Sequence, residues 1–325
     1  MTADKTPLLV PADAGAISKA ARILSDGGLV AFPTETVYGL GASARDGKAV
    51  ARLYAAKGRP SFNPLISHVT DFGAARRLAR FDTLAEKLAQ AFWPGPLTLV
   101  LPKAATCDVS ELATAGLDSI AVRAPDHPVA QELLRAFGGP IVAPSANRSG
   151  HISPTTAQHV LEDLGDRLDL ILDGGPTKVG VESTIVSCLG SAPVLLRPGG
   201  TAREDIARVI GMPLADPMPA ADLAAPLAPG MLASHYAPNA TLRLDAHYVR
   251  RDEALLAFGP DPLAGAKMTL NLSPRGDLTE AAANLFSYLR ALDARSAAIA
   301  AMPIPNEGLG EAINDRLARA AAPKK

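Results

Sequence analysis

Two short stretches of this chain gather side chains that could hold an anion. The first runs from Lys57 through Gly58, Arg59, Asn63 and Pro64 to His68. Lys57 and Arg59 stand two apart across a glycine, between stiffening prolines at 60 and 64, so both cations could turn towards one phosphate chain. A solvated basic turn is the plainer alternative. Asn63 and His68, polar among proline and apolar neighbours, weigh against it, although His68 alone reads as a satisfied core histidine. The second stretch, Ala143-Pro-Ser145-Ala-Asn147-Arg-Ser149-Gly150, follows an apolar strand. A strand opening into Ser, Asn and Gly presents small donors and backbone amides at its C-terminal end, where open α/β sheets bind ligands. Taken alone, it reads equally as an ordinary turn.

A third set is more scattered. Arg123 follows the apolar run Ser119 to Val122, Glu182, Ser183 and Thr184 precede Ile185 to Ser187, and Arg197 precedes Pro198 and Gly199. Each is polar at a strand end, a position that commonly faces a cleft; for either arginine a surface salt bridge is the alternative. Asp173-Gly174-Gly175 reads as a turn, and Trp93-Pro94-Gly95-Pro96 as a packing corner. Ser145 has no G-x-S-x-G elbow, which argues for binding rather than nucleophilic attack. The chain also lacks a G-x-x-x-x-G-K-[ST] loop, a G-x-G-x-x-G fingerprint after a strand and an H-E-x-x-H motif, so any nucleotide is held without the commonest phosphate loops.

The elements that must position these residues follow from periodicity. Asp13 to Asp26 has helical spacing and stops at Gly27-Gly28, and a strand, Leu29 to Phe32, follows. Pro33 ends that strand, and the next residues, TETVYGLG, read as a polar, glycine-rich loop. Helices are predicted at Gly47 to Lys57, Asp71 to Leu78 and Thr83 to Phe92. Strands are predicted at Leu65 to Val69, Leu97 to Leu101, Ser119 to Val122, Ile141 to Ala143, Leu170 to Leu172 and Thr184 to Ser187. The alternation predicts an α/β open sheet, mixed because several connections are too short for crossover helices. From Gly211 the chain turns rich in Pro and Ala with few charges, a linker signature. Beyond it, strands at Thr241 to Leu244, Ala254 to Phe258 and Lys267 to Leu272, with helices at Leu278 to Leu292 and Gly310 to Ala321, predict a second, smaller Rossmann-like α/β domain. The organisation is therefore 1–210, a linker or lid at 211–240, and 241–325.

Composition narrows the classes. A length of 325 residues exceeds what one core comfortably serves, roughly 250. Forty-eight per cent apolar and 20% charged residues suit folded domains. A net charge of -1 supplies no bulk field for nucleic acid or membrane, so a polyanion must meet a local patch. Cys107 and Cys188 lack metal-ligand spacing and are too few for a disulfide framework, which fits a reducing compartment. No stretch approaches the roughly eighteen apolar residues of a membrane span, and the first residues do not read as a signal peptide. A cytoplasmic protein is expected.

In order along the chain, FPTETVYGLG at 32–41, KGRPSFNPLISHV at 57–69, FWPGPLTLVL at 92–101, PSANRSG at 144–150 and VESTIV at 181–186 closely resemble the YrdC-like threonylcarbamoyl-adenylate synthases. GMLASHYAP at 230–238 and the small C-terminal domain resemble the longer, two-domain branch. The resemblance implies a twisted α/β sheet enclosing a positively lined cavity. It implies that L-threonine, bicarbonate and ATP react to give threonylcarbamoyl-AMP and pyrophosphate, a nucleotidyl transfer. The product would supply tRNA threonylcarbamoyl-transferase proteins that modify the adenosine beside the anticodon. The family's K-x-R and S-x-N signatures fall on Lys57 and Arg59, and on Ser145 and Asn147, as catalytic groups. By the same resemblance Thr34, His68, Arg123, Ser183 and the Ala143 backbone would bind threonine. ATP would meet Lys57, Arg59, Asn63, Ser119, Ser145, Ser153, Arg197, His235 and Tyr236. Mg²⁺ would ride on the ATP phosphates, with no protein metal cage. Ser234, His235 and Tyr236 would form a lid keeping the carbamate from water. Two rivals remain: a module that holds duplex RNA in the same basic cavity, with weak RNA contact, and a carbamoyltransferase accessory domain. The second would need zinc-finger cysteines and an acylphosphatase-like segment, and this sequence has neither.

Overall fold

The computed structural model describes residues 8–217 and 236–323. Its first part contains β1 (Leu8–Pro11), α1 (Ala14–Ser25), β2 (Val30–Pro33), β3 (Tyr38–Ser43), α2 (Gly47–Lys57) and β4 (Ile66–His68). These are followed by α3 (Phe72–Leu78), α4 (Thr83–Phe92), β5 (Leu97–Pro102), β6 (Ser119–Arg123), α5 (Pro128–Phe137) and β7 (Ile141–Val142). α6 (Ala157–Leu164), β8 (Leu170–Asp173), β9 (Thr184–Ser187), β10 (Val194–Arg197) and α7 (Arg203–Ile210) complete it. The first four helices start where an aspartate can cap them. Asp13, Asp46, Asp71 and Asp82 accept from the backbone N–H groups of Ala16, Lys48, Ala74 and Ala85, satisfying donors that a helix start leaves free.

The ten strands form one sheet in the order β1-β8-β2-β3-β7-β4-β6-β5-β9-β10. It is mixed as expected: β4 and β6 are parallel, for example, while β3 and β7 are antiparallel. Alternation divides its faces. Val30 and Phe32 of β2 pack with α1 and α5, while Ala31 points into the larger cluster that includes α2 and α6. Beyond α1 and α5, the first of these faces carries a separate apolar floor made by Ile66, Val100, Ala121, Ile185 and Leu196.

The second part has a smaller, all-parallel sheet of β11 (Thr241–Arg243), β12 (Ala254–Ala257), β13 (Thr269–Asn271) and β14 (Ala298–Ala301), ordered β11-β14-β12-β13. Its helices are α8 (Leu278–Asp293) and α9 (Leu309–Ala321). Their apolar faces share one cluster with Val37, Ile152 and Val181 of the first part, so one continuous core joins the two.

Two expectations need correction. The stretch TETVYGLG is not all loop, because Tyr38–Ser43 is strand β3, paired to both β2 and β7. The glycines are there for close packing: a Cβ on Gly41 would lie 2.8 Å from the Phe32 ring and 3.1 Å from the Val30 carbonyl oxygen. The span from Gly211 is not linker from its start, since Gly211 is the left-handed cap of α7 and Ala215 bridges to Val194.

Candidate active site

A small, open cleft lies over the apolar floor. In the parallel register of β4 with β6, His68 stands opposite Arg123 and Ile66 opposite Ala121, so the two polar side chains lie side by side at the strand ends. From the next edge Arg197 reaches in after a register irregularity in β10, the kind of break that re-aims a side chain. Its Nε and Nη2 donate to the Ser183 carbonyl at 3.2 and 2.8 Å, and Ser183, whose Oγ pairs with Thr98 Oγ1 at 2.8 Å, also lines the wall. On the opposite side Ala143, Pro144 and Ser145 leave β7 and run along β3, where Ala146 N–H donates to Tyr38 O and Leu40 N–H to Pro144 O. Arg59, Thr36, Val37, Glu182 and Tyr236 close the cavity.

The K-G-R stretch divides rather than converges. Lys57 is the last residue of α2, and Gly58, at φ 60°, caps the helix in the left-handed region and turns the chain. Buried Lys57 therefore donates to the carbonyls of Ser145, at 2.6 Å, and Asn147, holding that loop from behind. Burial, with the nearby Arg59 charge, lowers its ammonium to about 7. Only Arg59 of the pair lines the cleft, steadied by the Pro64 carbonyl at 3.1 Å. Burial brings its guanidinium down to about 10, and the Arg197 charge acts in the same direction. Asn147 is fully buried and its amide donates to Arg148 O and His151 O, so it shapes the loop while Ser145 faces the cavity.

Arg123 has a partner that sequence reasoning overlooked. Its Nη2 donates to Glu35 at 2.5 Å, Nη1 to Thr36 Oγ1 at 3.0 Å and Nε to Gly95 O at 3.1 Å. The Trp93-to-Pro96 corner is thus also a buttress of the site. His68 is kept neutral: burial first, then the Arg123 charge, lower its imidazole to about 3. Burial alone would raise the Glu182 carboxyl, but the Arg316 and Arg197 guanidiniums and the Ser153 hydroxyl hold it at about 2.

Of the residues singled out by sequence, Arg59, His68, Arg123, Ala143, Ser145, Ser183, Arg197 and Tyr236 meet in this cleft. Thr34 does not line it; its hydroxyl donates to Val37 O at 2.7 Å and organises the turn between β2 and β3. Ser153 stands behind Glu182, donating to its Oε1. Asn63 is buried beside Arg59, which its carbonyl helps hold. Ser119 begins β6 four residues before Arg123, about 13 Å away along the strand at about 3.3 Å per residue. Ser234 and His235 lie outside the described residues. Glu35, Thr36 and Val37 fall in a stretch whose sequence suggests only a loop, with the polar run before the glycines as their signal, and Glu182 is legible only as a polar residue at a strand end.

Known proteins resemble this chain along nearly its whole length. The family model of Sua5, YciO and YrdC, described as telomere recombination, matches residues 22–199, and one described as the C-terminal domain of threonylcarbamoyl-AMP synthase matches 201–322. A threonylcarbamoyl-AMP synthase of Bacillus subtilis is 43% identical over 321 residues, covering 94% of this chain and 92% of that protein. One of Pyrococcus abyssi is 44% identical over 318 residues, covering 93% and 92%. The crystal structure of P. abyssi Sua5 complexed with L-threonine superposes with a TM-score of 0.87 at 40% identity, covering 97% of this chain and 96% of that one.

Proposed function

The chain belongs to the YrdC-like threonylcarbamoyl-AMP synthase family, in its two-domain branch, and on that premise we propose how the cleft makes this adenylate. The protein is a threonylcarbamoyl-AMP synthase, an enzyme of tRNA modification that uses ATP and threonine. The observation that carries the reading is the cleft itself. Among the described residues, three arginines, Arg59, Arg123 and Arg197, line one small cavity beside neutral His68 and one carboxylate, Glu182. Cations crowded together under burial repel, and a bound polyanion relieves that repulsion.

Threonine's amine combines with bicarbonate, losing water, to give a carbamate. A carbamate oxygen then attacks the α-phosphorus of ATP, the bond to the β-phosphate oxygen breaks and pyrophosphate leaves, so the enzyme is a nucleotidyltransferase. No protein nucleophile is required, and the protein's contribution is alignment and charge stabilisation. Arg123 still has N–H groups beyond those given to Glu35, Thr36 and Gly95, and these would take the threonine carboxylate. His68 and Ser183 would meet its amine and hydroxyl, with the Ala143 backbone alongside and Thr34 holding the neighbouring turn. Arg59, Ser145 and Arg197 would receive the phosphates, with Lys57, Asn63, Asn147 and Ser153 supporting them and buried Tyr236 in the wall. Among the described residues no three His, Cys, Asp or Glu side chains gather as metal ligands, and Glu182 is committed to Arg316 and Ser153. Mg²⁺ would arrive with ATP as substrate, bound by its phosphates.

No helix among the described residues is long and apolar enough to cross a membrane. Duplex-RNA binding is the weaker reading: Arg123 and Arg197 are 3% and 5% exposed, inside a cleft rather than on a face a helix could reach. The test is incubation of the protein with L-threonine, bicarbonate and MgATP. Pyrophosphate release that depends on threonine is expected; release without threonine, or none, would falsify the assignment.

A further inference from the structure

Glu182 and Tyr236 both line the cleft, and the second domain contacts both. Arg316, on α9, is 1% exposed, and its Nε donates to Glu182 Oε2 at 2.8 Å, from 134 residues downstream. The same guanidinium lies 5.3 Å from the Tyr236 ring centroid, and Phe286 of α8 stacks on Tyr236 with ring centroids 5.5 Å apart. Tyr236 has φ 63°, a backbone state that a bulky residue keeps only when its surroundings enforce it. Asp315 fixes Arg316 in turn, accepting from Nη1 at 2.7 Å.

The Glu182 end of this arrangement reaches the Ser183–Arg197 pair in the cleft wall. Ser183 is the next residue, and its carbonyl and hydroxyl are the acceptors for Arg197. The loop after Arg197 crosses so closely that a Cβ on Gly199 would lie 2.3 Å from the Glu182 carbonyl oxygen, and Gly200 N–H donates to that oxygen at 2.9 Å. With Ser153 on one carboxylate oxygen and Arg316 on the other, Glu182 has little freedom to shift without taking Ser183 and Arg197 with it.

We propose that Arg316 is a positioning residue for adenylate formation: from the second domain it fixes Glu182, and through it the Ser183–Arg197 pair, while backing the Tyr236 ring. The second domain is then a structural part of the active site. This rests on the synthase reading above.

The experiment uses the full chain and measures steady-state pyrophosphate release, varying threonine and ATP separately, for wild type, Arg316→Lys, Arg316→Met and Glu182→Gln. Each variant is assayed well below its own melting transition, with near-UV circular dichroism as the check on folding. Substrates that bind but sit misaligned should cost kcat more than KM, so Arg316→Met is expected to lose about ten- to a hundredfold in kcat with smaller changes in either KM. Arg316→Lys keeps a cation within reach of Glu182 and should recover most of that loss. Folded Arg316→Met with wild-type kcat overturns the proposal, even if its melting point has dropped. If Arg316→Met does not fold, Glu182→Gln decides: reduced kcat at little-changed KM supports the role, and wild-type kcat overturns it. A wild-type chain without threonine-dependent release refutes the synthase reading and this role with it, whereas an active wild type with indifferent variants removes only the role.

Discussion

Lys57 and Arg59 are two residues apart and end in different surroundings, because Gly58 turns the backbone between them. Their types were readable as anion-binding chemistry. What could not be read was that Lys57 would bond loop carbonyls while Arg59 alone faced the cavity, since that depends on where the Ser145–Asn147 loop lies. Arg123 was legible as a strand-end cation, but its neutralising partner Glu35 comes from a turn 88 positions earlier. His68 gives a sharp test at this scale. Its pKa falls from 6.5 to about 3 in the fold, so the unfolded chain binds the extra proton between those values and stability rises with pH across that window. Glu182, held at about 2, acts with the same slope only below its ordinary 4.5, leaving the range from 6.5 to 4.5 free of its effect. Replacing His68 by Asn should therefore remove on the order of 2 kcal/mol of the stability difference between pH 6.5 and pH 5. Urea unfolding at the two pH values checks this; an unchanged difference would show that His68 does not stay neutral.

The α/β alternation was legible at the level of elements because helix starts and strand cores carry local signals. α2, α4 and β9 occupy the predicted residues. α5 went unread although Pro128 opens it and Gly138 ends it, both local signals. β3 was missed for a physical reason: its glycines imitate a loop, while their purpose is to admit the Phe32 ring and the neighbouring strands. Gly41→Ala should accordingly cost on the order of 1–3 kcal/mol, the usual penalty for forcing a group into a filled core. The measurement is the urea midpoint, and a wild-type value would mean that the β2–β3–β7 layer can yield.

The whole molecule adds what no segment contains. The two parts dock through Arg316 with Glu182, Arg203 with Glu311 at 2.7 Å, and Thr155 with Ser287 at 2.8 Å. The backbones also meet at Gly180, where φ is 77° and a Cβ would lie 2.2 Å from the Ala282 carbonyl oxygen of α8. Gly180→Ala should push α8 away and lower stability by on the order of 2–4 kcal/mol, combining overpacking with a left-handed backbone. Because α8 carries Phe286, against which Tyr236 stacks, kcat should fall as well; a variant matching wild type in both urea midpoint and kcat would show that the interface is looser than its geometry. By itself the sequence determined the fold class, the presence of a second α/β unit, the family and the residue types of an anion-binding cleft, because periodicity, caps and ordered motifs are local properties. Only the tertiary structure decided that Arg59 and Ser145 face the cavity while Lys57 and Asn147 stand behind it. It likewise decided that Glu35 neutralises Arg123 and that Arg316 reaches into the site, because burial and pairing are set by which distant segments share a strand end.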